Sequence, residues 1–141
     1  MLKAPQFIIH LCLLVCLALY LPLIGADFVW DDIYLIDNID ARERSFAELW
    51  TQNLWTGINL KGQDISAQYY RPWVSLEFWL LRGQLHLGPA LFHLLGLLLH
   101  CATGLALWSL LPRQHFTALL VGLYWLHPIQ GETVSFIAAH N

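Results

Sequence analysis

The chain has 141 residues, of which 57% are hydrophobic and 12% charged, with a mean hydropathy of +0.53. Soluble domains carry roughly 25% charged residues, so the balance argues against an ordinary soluble globule and for a membrane protein, with the lipid bilayer as its first partner. A formal net charge of −3 offers no basic footprint for nucleic acid.

The first apolar run, QFIIHLCLLVCLALYLPLIG over residues 6–25, has the length of about 20 residues that crosses a bilayer core. A signal-peptide core is typically about 7–15 residues, so an uncleaved first transmembrane helix over 1–25 is the better reading, with cleavage near Ala26 the rival. Lys3 precedes the run and acids follow it. That bias places the N-terminus inside, in the cytoplasm, and residue 26 onward outside.

Residues 26–72 form the expected outer, periplasmic loop, with eight acids and four bases. It opens on ADFVWDDIYLIDN, where Asp31 and Asp32 adjoin Trp30 and Tyr34. A carboxylate at a wet membrane rim can act as a general base toward a hydroxyl, and aromatic neighbours raise its basicity by desolvation. The same acids could instead cap the helix that follows. Further on, SFAELWTQNLW over 45–55 reads as a short helix, with Ser45 and Glu48 as a capping box. Gly57 and Gly62 suggest an irregular return.

The loop ends on Tyr69-Tyr70-Arg71-Pro72-Trp73. Arg71 could hold a phosphate bidentately, or snorkel as an interfacial anchor within an aromatic belt. Glu77 and Arg82 in the next stretch favour an interfacial helix over 73–88. Gly88-Pro89 restarts the chain. Residues 89–111 are long enough for a second transmembrane helix, and 112–128 read as a short third one. His93 and His100 fall two turns apart on the second, a spacing for buried or interhelical hydrogen bonds rather than for one metal. Cys12, Cys16 and Cys101 show no disulfide framework or zinc spacing and read as small hydrophobes. Residues 129–141 look like the start of a further helix, which suggests a fragment of a longer chain.

This topology brings Asp31, Asp32 and Glu132 to one membrane face. Oxygen ligands there could hold a divalent cation such as magnesium or manganese; no metal box or other cofactor motif is present. The fold class expected is an all-α membrane protein of about three transmembrane helices plus interfacial helices.

Four segments taken together carry a family resemblance: FVWDD at 28–32, YYRPWVSLEFWL at 69–80, LFHLLGLLLHCATGLAL at 91–107 and LHPIQGETVSFIAAHN at 126–141. They resemble the N-terminal part of bacterial multi-spanning proteins with tetratricopeptide repeats. Those proteins are similar to the transmembrane-and-TPR O-mannosyltransferases of the GT-C glycosyltransferase superfamily. The resemblance implies a partial GT-C-like helical bundle and transfer of a sugar from a polyprenyl-phosphate donor to a protein or glycan acceptor hydroxyl, with inversion. It implies that Asp31 or Asp32 is the first-loop acid and Glu132 the acid after the third helix. Arg71 would meet the carrier phosphate, and Tyr70, Trp30 and His127 would complete the substrate-binding set. The acid that usually follows the His-Pro motif is absent, Ala138-Ala139-His140-Asn141 standing in its place. A non-catalytic membrane anchor or assembly subunit is the alternative.

Overall fold

The chain is an all-α membrane protein; a computed structural model describes residues 4–37, 44–56, 59–60, 63–64, 69–135 and 137. The expected return at Gly57 and Gly62 and the segment 138–141 lie outside these residues. Helix α1 runs Ala4–Tyr20 and continues as a 3-10 turn over Leu21–Gly25. Helix α2 covers Pro72–Phe78, α3 Pro89–Leu110, α4 His115–Leu126 and α5 Ile129–Ser135. A two-residue antiparallel pairing of Asn59–Leu60 with Gln63–Asp64 is a small addition to the helices.

Two helical stretches, Ala4–Gly25 and Pro89–Leu110, are long and apolar enough to cross a membrane. At 1.5 Å per residue, the 22 residues of each extend about 33 Å. Helix α4 is apolar but has only 12 residues, about 18 Å. Its neighbours compensate, since α4 packs against both α1 and α3.

Those contacts are close because two glycines make them so. A Cβ built on Gly122 would lie 2.7 Å from Cys12 Sγ, and one on Gly104 would run into the indole of Trp125. Missing side chains let helices in lipid approach and gain dispersion contact, where the hydrophobic effect gives no help. The gap at Gly104 also uncovers the carbonyl of His100, which accepts a bond from Trp125 Nε1 at 3.3 Å. In return, His100 Nε2 donates to the Trp125 carbonyl at 3.3 Å. That carbonyl is short of a helical partner because Pro128 ends α4 and Ile129 N–H turns to His127 Nδ1 instead. The His100 ring is flanked by Tyr20, edge-on at 5.6 Å, and by Tyr124 at 5.0 Å. His93 is 1% exposed, and neither of its ring nitrogens has a hydrogen-bond partner. The interhelical bonding expected of the pair therefore belongs to His100.

At the end where α1 finishes and α3 begins, a second core gathers Leu35, Ile36, Leu54, Val74, Phe78, Phe92 and Ile137. Phe28 and Phe78 meet Phe92 edge-on at 5.7 and 6.2 Å. Helix α2 passes into a π-type turn over Trp79–Gln84. It stops at His86, whose φ of 54° turns the chain so that Leu87 N–H reaches the Leu81 carbonyl at 2.8 Å.

The helix expected over 45–55 is only a 3-10 turn, Glu48–Trp50. The capping box does form: Ser45 N–H and Oγ donate to Glu48 Oε2 at 2.6 and 2.8 Å. Aromatic packing cuts the helix short. Trp50 stacks edge-on with Phe46 and Trp73, and Tyr70 hydroxyl takes the Trp50 carbonyl at 2.7 Å.

Replacing Gly104 by Val is expected to lower stability by about 1–3 kcal/mol or more, read as a reduced unfolding midpoint in detergent; an unchanged midpoint would show that α3 and α4 do not rely on this contact. The Ser45 bonds hold the Glu48 carboxyl below its ordinary value. Its stabilising share is therefore present above the unfolded value of about 4.3 and lost as pH falls through the lower folded value. Acid titration of loop tryptophan fluorescence should show this step, and Glu48→Gln should remove it.

Candidate functional site

The site is built where the segment that follows the first helix meets α5 and the stretch just after it. Asp31 and Asp32 open a helical turn that becomes a π-type turn over Ile33–Asp37. Their environments diverge at once. Asp31 is exposed, whereas Asp32 is 0% exposed. Asp32 Oδ2 accepts a bond from the backbone N–H of Ile137 at 3.3 Å, 105 positions along the chain. Ile137 is itself buried in the second core. A carboxylate can be buried when donors meet it, and this one ties the first segment to the stretch after α5.

Just before the acids, Trp30 has φ 51°. For an L-residue this left-handed conformation costs roughly 1–2 kcal/mol, and glycine or asparagine normally takes it. Two turn bonds hold the backbone there, Asp32 N–H to the Val29 carbonyl at 3.0 Å and Ile33 N–H to the Trp30 carbonyl at 3.3 Å. Trp30 as a whole is 77% exposed. With Val29 it forms one wall of a cavity of about 370 Å³ whose other wall is Glu132 and Ser135 of α5.

Helix α5 starts abruptly because of His127-Pro128. His127 Nδ1 accepts from Ile129 N–H at 3.2 Å, and the His127 and Pro128 carbonyls each receive a 3.0 Å turn bond. Glu132 follows in the first turn and is exposed, where the helix dipole favours a negative charge. His127 thus stands as a helix cap beside the site.

Arg71 and Tyr70 line a different cavity, of about 440 Å³, together with Pro72, Trp73, Val74, Glu77 and Leu99. Pro72 starts α2, and Arg71 stands just ahead of it with its carbonyl accepting Ser75 N–H at 3.0 Å. Its guanidinium lies over the Tyr69 ring at 5.7 Å. This cavity joins a cation to apolar Leu99, an exposed residue halfway along α3.

Of the residues singled out from sequence, Trp30 and Glu132 share one cavity, and Asp32 is bonded next to that region. Arg71 and Tyr70 share the other cavity. Asp31, Asp32 and His127 line neither. Among the described residues no group of three or more His, Cys, Asp or Glu side chains gathers as a metal site. Sequence reasoning missed the Asp32–Ile137 bond, for which no local signal exists, and the part played by Ser135.

The class so defined is an all-α membrane protein that brings acids from two distant segments to one end of its helices. Over 127 residues the chain is 34% identical to protein O-mannosyl-transferase TMTC2 of Homo sapiens, and equally to that of Mus musculus. The match covers 86% of this chain and 15% of each relative, so the chain spans about 15% of the length of these curated relatives. This is a TMTC-like relationship. No protein-family model matches the chain, and no solved structure does.

Asp32→Ala would leave the Ile137 N–H buried without this acceptor, at an expected cost of about 1–3 kcal/mol. Asp32→Asn retains a carbonyl acceptor and should cost less. Unfolding midpoints in detergent check the order, and equal losses from the two variants would deny the bond its role.

Proposed function

We propose that this chain carries the acid-bearing part of an integral-membrane glycosyltransferase. On this reading the enzyme moves a sugar from a polyprenyl-phosphate carrier to an acceptor hydroxyl at the outer membrane face. The observation that carries the reading is the juncture of two distant segments: Trp30 and Glu132 across one cavity, with Asp32 bonded to Ile137 beside them. The similarity to an O-mannosyl-transferase over most of this chain supplies the reaction class. The N-terminus then lies inside, α1, α3 and α4 cross the membrane, and residues 26–72 lie outside with 73–88 along the interface.

In the proposed step a carboxylate, Asp31 or Glu132, takes the proton of the acceptor hydroxyl. The oxygen attacks the anomeric carbon from the face opposite the phosphate. The carbon–oxygen bond to the carrier phosphate breaks, and the configuration inverts. Asp31 and Glu132 suit the base because both are exposed and a base must reach its proton. Buried Asp32 suits positioning. Arg71 suits the leaving phosphate, since its cavity offers both a cation and an apolar wall to a lipid-linked anion. A divalent cation could assist the same carboxylates; the step above runs through side chains alone.

The test is transfer of radiolabelled mannose from a polyprenyl-phosphate donor to acceptor by the protein in its own membranes. Asp31→Asn or Glu132→Gln is expected to lower the rate by about 10²–10⁴-fold, the usual worth of a general base, with expression unchanged. Undiminished transfer in both single variants and the double variant would overturn the catalytic reading and leave an anchor or assembly role.

A further inference from the structure

We infer that the protein holds the bilayer thin around itself. On the side where α3 begins, the boundary between hydrocarbon and water lies at the depth of Leu99 and His100, halfway along that helix. The inference goes beyond the transferase reading and rests only on α3 and α4 being membrane helices.

The first argument is where the chain leaves its helices. Helix α3 starts at Pro89, which puts His100 about 16 Å below that start. Helix α4 ends at the same depth. The Trp125 carbonyl meets the His100 ring, and Leu126 is the last helical residue. Exposed His127 and Pro128 follow in non-helical backbone. On a second flank of α3, Arg71, Pro72 and Trp73 share a cavity with Leu99. The backbone there is non-helical too, with Tyr69 and Tyr70 exposed and Arg71 half-buried. Irregular backbone open to lipid does not occur in the hydrocarbon region, where its polar groups find no water. Two separate breaks at one depth mark the edge of that region.

The second argument is the height of the lipid-facing surface. Exposed large apolar side chains run from Phe7 to Leu21 on α1, from Leu98 to Leu110 on α3 and from Phe116 to Leu123 on α4. These stretches measure about 21, 18 and 10 Å, against a hydrocarbon core of about 30 Å. Nearer the start of α3, Phe92, His93, Gly96 and Leu97 are buried within the protein. Leu80, Leu85 and Leu91 are exposed in that region, but so are Gln84 and His86. Aromatic rings flank membrane bands at their interfaces. Tyr70 and Trp73 stand at the level of Leu99, and Trp108 lies toward the other end of α3.

Magnitudes decide between the two arrangements open to such a molecule. A bilayer of ordinary thickness reaching Pro89 would immerse the Arg71 guanidinium and the turn after α4. Charges and bare peptide groups in hydrocarbon cost far more than each ångström of compressed lipid. Helix tilt offers no escape, because it shortens a band that is already too short. The thinned bilayer is therefore the arrangement of lower free energy.

The experiment places the unmodified chain in vesicles of dimyristoleoyl, dioleoyl or dierucoyl phosphatidylcholine. Relative lipid affinity is read from tryptophan quenching as the brominated form of each lipid competes for the protein surface. A several-fold preference for the short dimyristoleoyl lipid over the dioleoyl lipid is expected, with the dierucoyl lipid weakest. Equal affinities, or a preference for either longer lipid, would overturn the inference. Depth is read in dioleoyl vesicles as the quenching lost in Trp73→Phe, with bromines set just below the headgroup or near the chain ends. Quenching of Trp73 by the shallow bromines is expected. Quenching chiefly by the deep bromines would immerse the start of α2 in hydrocarbon, and none by either would lift it clear of lipid; both results overturn the inference. The affinity series needs no variant, so a Trp73→Phe chain that fails to fold leaves it decisive. Failure of this inference does not touch sugar transfer, which is measured separately.

Discussion

The paired hydrogen bonds between Trp125 and His100 govern this structure. Each residue gives its ring N–H to the other's backbone carbonyl, so two side chains and two helices are fixed at once. The exchange exists because Gly104 opens the flank of α3 and because Pro128 leaves the last carbonyls of α4 without helical partners. In lipid an unpaired polar group has no water to turn to, which makes such reciprocal pairs more consequential than in a soluble core. With α4 anchored this way, its C-terminal end is held beside the middle of α3, at His100 and Gly104, and α5 must begin there.

From that anchor the site follows. His127-Pro128 turns the chain, α5 carries Glu132 to the cavity wall, and the stretch beyond it reaches Asp32 through Ile137. The segment after the first helix is thereby joined to residues more than a hundred positions later. Adjacent aspartates acquire opposite surroundings, one exposed and one wholly buried. A helical turn that faces core on one side and water on the other separates neighbours in this way. The two cavities also differ in their charged groups. Glu132 lines one, and Arg71, accompanied by Glu77, lines the other.

Much of the fold was legible beforehand. The two long apolar stretches announce themselves by length and composition, because a bilayer imposes a minimum span. The close helix approach at Gly104 in α3 and Gly122 in α4 came only with the structure, which shows the partner each glycine meets. The helix expected over 45–55 failed for a tertiary reason. Its capping box formed, but Trp50 was drawn into packing with Phe46 and Trp73 and its carbonyl was taken by Tyr70. Heptad-spaced histidines promised equivalent roles, yet His100 found a partner in Trp125 and His93 found none, since only one of them lies opposite the end of α4.

By itself the sequence determined the medium of this protein, the helices that suit it, and a short set of acids and aromatics as candidate site residues. Those are properties of composition and of short-range spacing, which a reader of the chain can see. Tertiary structure alone decided which aspartate is buried, that Trp30 takes a left-handed backbone toward Glu132, and that Arg71 belongs to a separate cavity. Each of these depends on contacts between residues far apart in the chain. Such contacts are set by how the helices dock, through glycine gaps and orphaned carbonyls, and leave no periodic trace along the sequence.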